Sequence, residues 1–401
     1  MDNMPADEAA FFNDILLKYM ARRIPRNASF ELTHRCNLKC IHCYQGDQDA
    51  IRKNRQRELD TETVKRILDE IAAAGTLFLF FTGGDPMVRK DFCEIYTYAV
   101  KLGIIVSVLC DGILVTDKII ETFKRYPPHY VEISIYGATA ETYESVTQVE
   151  GSYERFLKGL HRLRENNIRY LLKTVLLTAN QHEFHAMKSI ADQLGVAFHH
   201  DSAIFPCLPH DDNAGGANRQ SNTEKMPATV ELSSIKKYTL DEPLNLRVTP
   251  ESIIDIDMSN KEYRDSWIAA SGTKGEASND QRLYKCGAGK DGFHIDPYGM
   301  LYPCILTTHH GHDLKTSSFM AGWNGTINEI NTLRASPDRS CNSCDLAYMC
   351  AGCPAVFELE TGAADVKSDY ICETTHKRYA RLQSYMDKEH AHEQGQTAAE
   401  K

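Results

Sequence analysis

Apolar and polar residues alternate along the first half of the chain with two periods, one typical of strands and one typical of amphipathic helices. Short apolar or β-branched runs predict strands at residues 29–33, 76–82, 104–110, 130–136, 169–177 and 195–200. The segments between them have helix length and predict helices at 61–74, 90–102, 116–125, 139–165 and 181–194. The pattern therefore predicts a regular strand–helix repeat that begins at residue 29.

A repeat of this kind favours a parallel sheet with right-handed crossovers, because consecutive parallel strands need a long connection. Six strands are compatible with an open doubly wound sheet and with a partial (β/α)6 barrel, and both belong to the α/β class. In both architectures ligands bind beyond the carboxyl ends of the strands. We therefore expect the chemistry on loops that directly follow strands.

The rest of the chain is less regular and suggests further segments. A polar stretch at 209–227 is predicted to be a loop or lid, and an Asp296-Pro297-Tyr298-Gly299 turn predicts a hairpin at 292–304. The predicted division is an N-terminal extension at 1–28, the barrel at 29–201, a connecting region at 202–285, a cysteine-rich module at 286–372, and a C-terminal helix and polar tail at 373–401.

The charge and the apolar runs of the chain argue against nucleic acid and membrane as partners. The chain has 401 residues and a formal net charge of −10, and without a concentrated basic stripe it is a poor candidate for nucleic-acid binding. Its first residues are acidic where a secretory signal is basic, and the apolar run at 75–81 is too short to span a bilayer. We therefore predict a cytoplasmic protein with no nucleic-acid and no membrane partner.

Thirteen cysteines point to the chemistry of the protein. Disulfides are rare in a reducing compartment, so close cysteine spacing there indicates metal binding. Three cysteines lie between residues 36 and 43, and seven lie between residues 286 and 372. The others stand apart and are predicted to be structural thiols; they are Cys93, Cys110 and Cys207.

The first group reads Cys36-Asn-Leu-Lys-Cys40-Ile-His-Cys43 and directly follows the first predicted strand. Three soft, anionic thiolates on one tight loop can hold three irons of a four-iron cluster and leave the fourth iron open to a ligand. A zinc site is the alternative, with His34 or His42 as the fourth ligand. The spacing favours the iron–sulfur cluster.

A CxxxCxxC motif after the first strand of a β/α repeat resembles the signature of the radical S-adenosylmethionine (SAM) superfamily, and the flanking THRCN and IHCY sequences are similar to its members with a SPASM domain. The resemblance implies a partial (β/α)6 TIM-type barrel. It also implies that Cys36, Cys40 and Cys43 hold a catalytic [4Fe–4S] cluster whose open iron binds SAM. One electron then splits SAM and gives a 5′-deoxyadenosyl radical, which takes a hydrogen atom from the substrate.

The same resemblance implies SAM contacts beyond the cysteines. The Gly83-Gly84-Asp85-Pro86 turn after the second predicted strand resembles the family's GGEP motif, with an acid one methylene shorter. A serine or asparagine at a strand end is otherwise a turn former or a helix cap. The remaining SAM contacts that the resemblance implies are His42, Ser134 and Asn180.

Charged residues inside predicted strands are a separate signal, since a buried charge is costly unless it is paired or used. Glu31, Glu132 and Lys173 occupy such positions, and we expect a Glu–Lys pair inside the barrel, with a substrate-contacting acid or base as the alternative. The candidates for a general base are Asp85, Asp111, Glu132 and Asp201.

The second cysteine group has an interleaved five-residue gap that fits zinc ribbons poorly. The pattern resembles the SPASM domain, which carries two auxiliary clusters. The resemblance implies that auxiliary cluster I is held by Cys286, Cys304 and Cys353. It implies that auxiliary cluster II is held by Cys341, Cys344, Cys350 and Cys372. With three cysteines, the fourth position of cluster I is open to substrate, is filled by another residue, or marks a smaller cluster.

Proteins with this combination are mostly maturases, so the resemblance implies a peptide or protein substrate that is crosslinked, given a thioether, epimerised or oxidised. It implies a reductant such as flavodoxin or ferredoxin. Because 28 residues precede the first predicted strand, we expect a separate leader-peptide recognition protein or a leader-independent mode. One alternative is an enzyme that modifies a tetrapyrrole of the heme or heme d1 pathway, or another small molecule. The non-enzymatic alternative is a structural zinc or Fe–S protein, which predicts no SAM cleavage.

Overall fold

The computed structural model describes residues 14–15, 17–19, 21–208, 243–272, 281–307 and 309–399, and the predicted lid at 209–227 lies outside them. The chain forms two compact units. The first comprises Met1–Leu246 and Lys285–Thr332, and the second comprises Arg247–Tyr284 and Leu333–Lys401. The predicted segment boundaries stay a prediction. No helix in the described part of the chain is long and apolar enough to cross a membrane.

In its described residues, the first unit is built on one nine-stranded sheet with the strand order β6-β5-β4-β3-β2-β1-β7-β8-β9. Strands β1 to β6 pair in parallel, which confirms the predicted parallel α/β sheet, and the sheet is not closed. The strands are β1 (Asn27–Thr33), β2 (Phe78–Gly83), β3 (Ile105–Cys110), β4 (Val131–Ser134), β5 (Tyr170–Val175), β6 (Phe198–Asp201), β7 (Gly292–Ile295), β8 (Met300–Tyr302) and β9 (His312–Asp313).

Helices connect the parallel strands and form most of the second unit, to which α8, α9, α12 and α13 belong. In chain order the described helices are α1 (Gln48–Lys53), α2 (Thr61–Ala73), α3 (Phe92–Lys101), α4 (Asp117–Arg125), α5 (Ala140–Thr147), α6 (Ser152–Glu165), α7 (Phe184–Leu194), α8 (Pro250–Ser259), α9 (Lys261–Gly272), α10 (Phe319–Asn324), α11 (Thr326–Glu329), α12 (Pro354–Thr361) and α13 (Asp369–Ala399).

The predicted helix at 139–165 is wrong as a single element, because the structure divides it into α5 and α6. Gln148 ends α5 in the left-handed region, with φ 56°, and its backbone amide donates to the carbonyl of Glu144. Gly151 precedes α6, also in the left-handed region, with φ 69°. Two left-handed residues so close together cannot continue a right-handed helix.

The predicted hairpin at 292–304 is confirmed as the antiparallel pair β7 and β8. The carboxylate of Asp296 accepts the backbone amides of Tyr298 and Met300, at 2.9 and 2.8 Å, and so fixes the turn. Strand β7 also pairs in parallel with β1, from Asn27 opposite Gly292 to Phe30 opposite Ile295. The hairpin therefore extends the sheet of the first unit, which the periodicity of the sequence did not predict.

Side chains alternate between the two faces of the sheet. On one face Phe30, Phe81 and Val108 have no exposed surface, and they pack with apolar side chains of α2, α3, α4, α6 and α7 in one continuous core. On the other face of the sheet lie polar side chains such as Glu132 in β4 and Lys173 in β5. The apolar face stabilises the unit, and the polar face is available for chemistry.

Helix α6 packs so closely on the loop after β3 that Gly159 has no room for a side chain. A Cβ there would lie 1.9 Å from the carbonyl oxygen of Gly112. Gly159→Ala should therefore destabilise the protein by about 1–3 kcal/mol through overpacking, although alanine in a helix normally gains about 1 kcal/mol over glycine.

The measurement is urea unfolding followed by circular dichroism. Gly292→Ala is the control, since its Cβ would meet its nearest atom, a carbonyl oxygen, at 3.5 Å. Equal unfolding midpoints for Gly159→Ala and the parent protein would contradict this description of the packing.

Candidate active site

The carboxyl ends of the parallel strands surround a cavity of about 280 Å³ in the first unit. Several of the residues predicted from the sequence share its wall: Cys36, Cys40, His42, Cys43, Gly83, Gly84 and Ser134. They come from the loop after β1, from the turn that ends β2 and from the end of β4. The structure thus brings together residues separated by almost a hundred positions, at the edge of the sheet where the strand pattern places chemistry.

The loop that carries the three cysteines, residues 33–43, is fixed by helix α1. The backbone amide of Cys36 donates to Oε1 of Gln48 at 2.7 Å, and Nε2 of Gln48 donates to the carbonyl of His34 at 3.1 Å. Arg52, one helical turn further on, donates to the carbonyl of Cys36 at 2.9 Å. These bonds set the direction in which the cysteine loop leaves the sheet.

The glycine turn after β2 packs directly on the backbone of this loop. The amide of Gly84 donates to the carbonyl of Thr33 at 2.8 Å, and the amide of Asp85 donates to the carbonyl of Arg35 at 3.0 Å. A Cβ at Gly84 would lie 2.4 Å from the carbonyl oxygens of His34 and Arg35. Glycine is thus required here for contact between two backbone segments, and the same residue also faces the cavity.

Asp85 is fully buried and is not among the described residues that line the cavity. Its carboxylate accepts the amide of Met87 at 2.8 Å and the amide of Asp111 at 3.0 Å. Burial, with the neighbouring Asp111, raises the pKa of Asp85 well above its usual value. Asp85 therefore does not face the cavity itself but holds the backbone of a second acidic residue, Asp111, in place.

That second acid, Asp111, does line the cavity. Its Oδ2 accepts a hydrogen bond from Nδ2 of Asn37 at 2.6 Å and lies 3.9 Å from the sulfur of Cys36. Asp111 directly follows β3, and this position at a strand end is the sequence signal that could have identified it as a residue of the site. The sequence had identified it only as one of several candidate bases.

Two further predicted SAM contacts lie outside the described cavity wall. Asn180 is completely buried, and its amide group accepts from the backbone of Leu177 at 2.8 Å and donates to the carbonyl of Val175 at 3.0 Å. Pro86 is buried at the start of a short 3₁₀ turn. Both residues therefore hold loops next to the site, and the structure does not bring them to the cavity.

None of the thirteen cysteines, all of which lie in the described residues, forms a disulfide bond. Burial raises the pKa of Cys43 to about 11, and burial raises the pKa of Cys36 and Cys40 well above the ordinary value, with added repulsion from Asp111. Among the described residues no His, Cys, Asp and Glu side chains converge on a single metal-ion position. The three thiols on the cavity wall are soft donors of the kind that hold iron–sulfur clusters.

His42 supplies a neutral ring to the cavity. Burial lowers the pKa of His42 to about 4, so the imidazole carries no charge at neutral pH. It packs edge-on against Tyr136, with 4.8 Å between ring centroids. Its Nδ1 is buried without a hydrogen-bond partner among the described residues. A buried polar atom of this kind fits a bound ligand.

A buried carboxylate lies beneath the cysteine loop. Oε2 of Glu31 is 2.9 Å from Nε2 of His34 and 3.3 Å from Nε2 of His294, and Oε1 accepts hydrogen bonds from Tyr44 and Gln45. Burial alone would raise the pKa of Glu31, but His34 and His294 outweigh it and hold that pKa far below its usual range. The sequence had predicted a charged pair for Glu31 but not its histidine partners.

The predicted Glu–Lys pair inside the sheet is confirmed for Glu132 and Lys173. Nζ of Lys173 lies 3.7 Å from Oε1 of Glu132, and both residues line the cavity. Lys173 stands opposite Ser134 in the ladder between β4 and β5. The cavity therefore has one wall that carries thiols and one wall that carries charges. Ser134 lies beside Lys173 in the charged wall.

In the second unit, the sulfurs of Cys372 and Cys350 have polar contacts. Nζ of Lys367 lies 3.3 Å from the sulfur of Cys372, and Oγ1 of Thr375 lies 3.5 Å from the sulfur of Cys350. The other cysteines of this group are Cys341, Cys344 and Cys353. Cys286 and Cys304 belong to the first unit. Their joint role with Cys353 stays a prediction.

Comparison with known proteins identifies the chemistry of this arrangement. The family model of the radical SAM superfamily matches residues 30–190. This chain is a radical SAM enzyme. As such it uses SAM and a [4Fe–4S] cluster.

Individual relatives extend over most of this radical SAM enzyme. It is 26% identical to an AdoMet-dependent heme synthase of Methanosarcina barkeri over 84% of this chain and 93% of the relative. It is 24% identical to a PqqA peptide cyclase of Ruegeria pomeroyi over 88% and 89%. Its fold is similar to Streptococcus suis SuiB bound to the precursor peptide SuiA, with TM-score 0.63 and 13% identity over 92% and 81% of the two chains.

The Glu31 cluster gives a direct test of what supports the cysteine loop. Glu31→Gln removes the buried negative charge that contacts His34 and His294. The substitution should lower the free energy of unfolding by about 3 kcal/mol, as expected when a buried ion pair is broken. The control is Glu62→Gln in α2, whose side chain is 81% exposed, with an expected change within about 0.5 kcal/mol.

Urea unfolding under anaerobic conditions measures both variants. Equal midpoints for Glu31→Gln and Glu62→Gln would show that the buried carboxylate does not support the fold.

Proposed function

We propose that this radical SAM enzyme abstracts a hydrogen atom from a ribosomally made peptide or protein, as a maturase that forms a crosslink or thioether, epimerises a residue or oxidises one. The observation that carries the proposal is the shared cavity, in which three thiols, a neutral imidazole and a charged pair face one space. Hydrogen transfer to a reactive radical requires that cofactor and substrate meet in a space from which water is restricted.

For the catalytic [4Fe–4S] cluster, the proposed ligands are Cys36, Cys40 and Cys43. The donor set fits, because the thiols are soft and stand on one loop that α1 holds in place. When bound, the cluster and SAM supply the radical that takes the hydrogen atom. Burial favours the protonated thiols, so metal binding must release protons from these three residues.

For SAM, the proposed contacts in the cavity are His42, Gly83, Gly84 and Ser134. His42 offers a neutral ring and an Nδ1 that has no hydrogen-bond partner within the part of the chain that the structure describes, and the glycines allow close approach of the backbone. For Asp85, Pro86 and Asn180 we propose positioning roles. Asp85 in particular holds the backbone of Asp111, whose carboxylate faces the cavity.

The auxiliary clusters take the cysteines of the SPASM-type region. Cluster II would be held by Cys341, Cys344, Cys350 and Cys372, and the polar contacts of the last two support a role for their sulfurs. Cluster I would be held by Cys286, Cys304 and Cys353. The electrons that reach these clusters would come from a reductant such as flavodoxin or ferredoxin in the cytoplasm.

A peptide suits the charged wall of the cavity. Glu132 accepts hydrogen bonds and Lys173 donates them, and a peptide backbone carries both complementary groups. Asp201 and Phe205 line the same space and add an acidic and an aromatic contact. Similarity to a PqqA peptide cyclase over 88% of the chain supports this substrate class. A separate leader-recognition protein would bring the peptide to the site.

The second candidate function is modification of a tetrapyrrole side chain. Similarity to an AdoMet-dependent heme synthase over 84% of this chain favours it. Lys173 would then bind a propionate carboxylate rather than a peptide carbonyl.

The two functions are distinguished by substrate-dependent SAM cleavage. The enzyme, reconstituted anaerobically with iron and sulfide, receives SAM and dithionite with either a synthetic copy of any short peptide encoded beside its gene or an iron porphyrin that carries propionates. We expect the peptide to raise 5′-deoxyadenosine formation and to lose hydrogen or take up deuterium from D₂O, as measured by mass spectrometry. A reaction without SAM is the control. Stimulation by the porphyrin alone, with release of CO₂, would establish the second candidate instead.

A further inference from the structure

Lys367 contacts a cysteine sulfur in the second unit, in the segment that leads into α13. Its Nζ lies 3.3 Å from the sulfur of Cys372. The backbone amide of Cys372 donates to the carbonyl of Ser368 at 3.0 Å, so the sulfur is presented from the ordered start of the helix. The ammonium group is therefore within hydrogen-bond distance of a proposed cluster ligand.

The sulfur is the principal partner of this lysine. The carboxylate of Asp369 is further away, at 3.9 Å, and its side chain is 96% exposed, so water screens that ion pair. The hydrogen bond to Cys372 and its charge raise the pKa of Lys367, with smaller contributions from the charges of Asp369 and then of Cys341. Two of the four proposed ligands thus act on one cation.

Lys367 differs in kind from the hydroxyl that contacts Cys350. The hydroxyl of Thr375 lies 3.5 Å from the sulfur of Cys350 but 2.9 Å from the carbonyl oxygen of Ile371. A hydroxyl has one proton, which Thr375 donates in a hydrogen bond to the closer carbonyl. An ammonium group has three protons to donate and a full charge. Lys367 is therefore the stronger influence on charge at these sulfurs.

Reduction adds an electron to an iron–sulfur cluster and makes it more negative. A cation that donates a hydrogen bond to a ligand sulfur stabilises the reduced form more than the oxidised form, and so raises the reduction potential. We propose that Lys367 is a positioning residue for electron transfer, which raises the reduction potential of the cluster held by Cys341, Cys344, Cys350 and Cys372. This inference rests on the auxiliary-cluster assignment under the proposed function.

The experiment isolates the auxiliary clusters. Cys36, Cys40 and Cys43 are replaced by alanine in the full-length chain, so that the catalytic cluster is absent, and the protein is reconstituted with iron and sulfide. Iron content is counted, and the clusters are titrated with dithionite against redox mediators while electron paramagnetic resonance follows the reduced form. The readout is a potential and does not depend on catalytic activity.

Lys367→Met in this background should lower the ratio of reduced to oxidised cluster at fixed potential by about tenfold, which corresponds to about 59 mV for a one-electron couple. Lys367→Arg should restore the parent value, because it keeps both charge and donor. Lys377→Met is the matched control, a lysine of α13 that pairs with Glu251 and Glu373 and should leave the titration unchanged.

An unchanged titration of Lys367→Met, at equal iron content, would overturn the inference. Lys367→Gln keeps a donor without a charge and decides the case in which Lys367→Met binds less iron: a lowered potential supports the inference, and the parent potential overturns it. A background protein with no bound iron would instead contradict the auxiliary-cluster assignment itself, and the inference with it, and the iron count separates that failure from the others.

Discussion

Two backbone hydrogen bonds join the cysteine loop to the glycine turn of the neighbouring strand, from Gly84 to Thr33 and from Asp85 to Arg35. They are possible because β1 and β2 are neighbouring parallel strands, so that their carboxyl ends emerge at the same edge. The contact is so close that a methyl group at residue 84 would overlap two carbonyl oxygens. The placement of the thiols, and of the cavity beside them, follows from this junction.

Burial then determines the charges around the junction. The same low-dielectric surroundings that keep His42 neutral favour protonated thiols in the cysteine loop. Glu31 stays ionised because His34 and His294 contact it directly. The ionised Glu31 thus lies beneath the cysteine loop with histidines as its partners. The three thiols themselves become charged only when a metal replaces their protons. Cluster binding and the electrostatics of the cavity are therefore coupled.

Much of the first unit follows from local sequence pattern. The six parallel strands could be predicted because their apolar runs are separated by helix-length segments, and the β7–β8 hairpin could be predicted from its Asp-Pro-Tyr-Gly turn. The break between α5 and α6 could not, since a left-handed Gln148 has no strong sequence signal. Likewise, only the three-dimensional structure shows that Asp111, and not Asp85, faces the cavity, because the two carboxyl groups lie on neighbouring strand ends.

The central claim is that the cysteines on this loop hold the cluster that cleaves SAM. The direct measurement compares Cys40→Ala with Cys93→Ala, a half-buried cysteine of α3 outside the cavity wall, after identical anaerobic reconstitution. Chromatography measures 5′-deoxyadenosine formed with SAM and dithionite. We expect Cys93→Ala to form it as the parent enzyme does and Cys40→Ala to form none. Full 5′-deoxyadenosine formation by Cys40→Ala would contradict the claim.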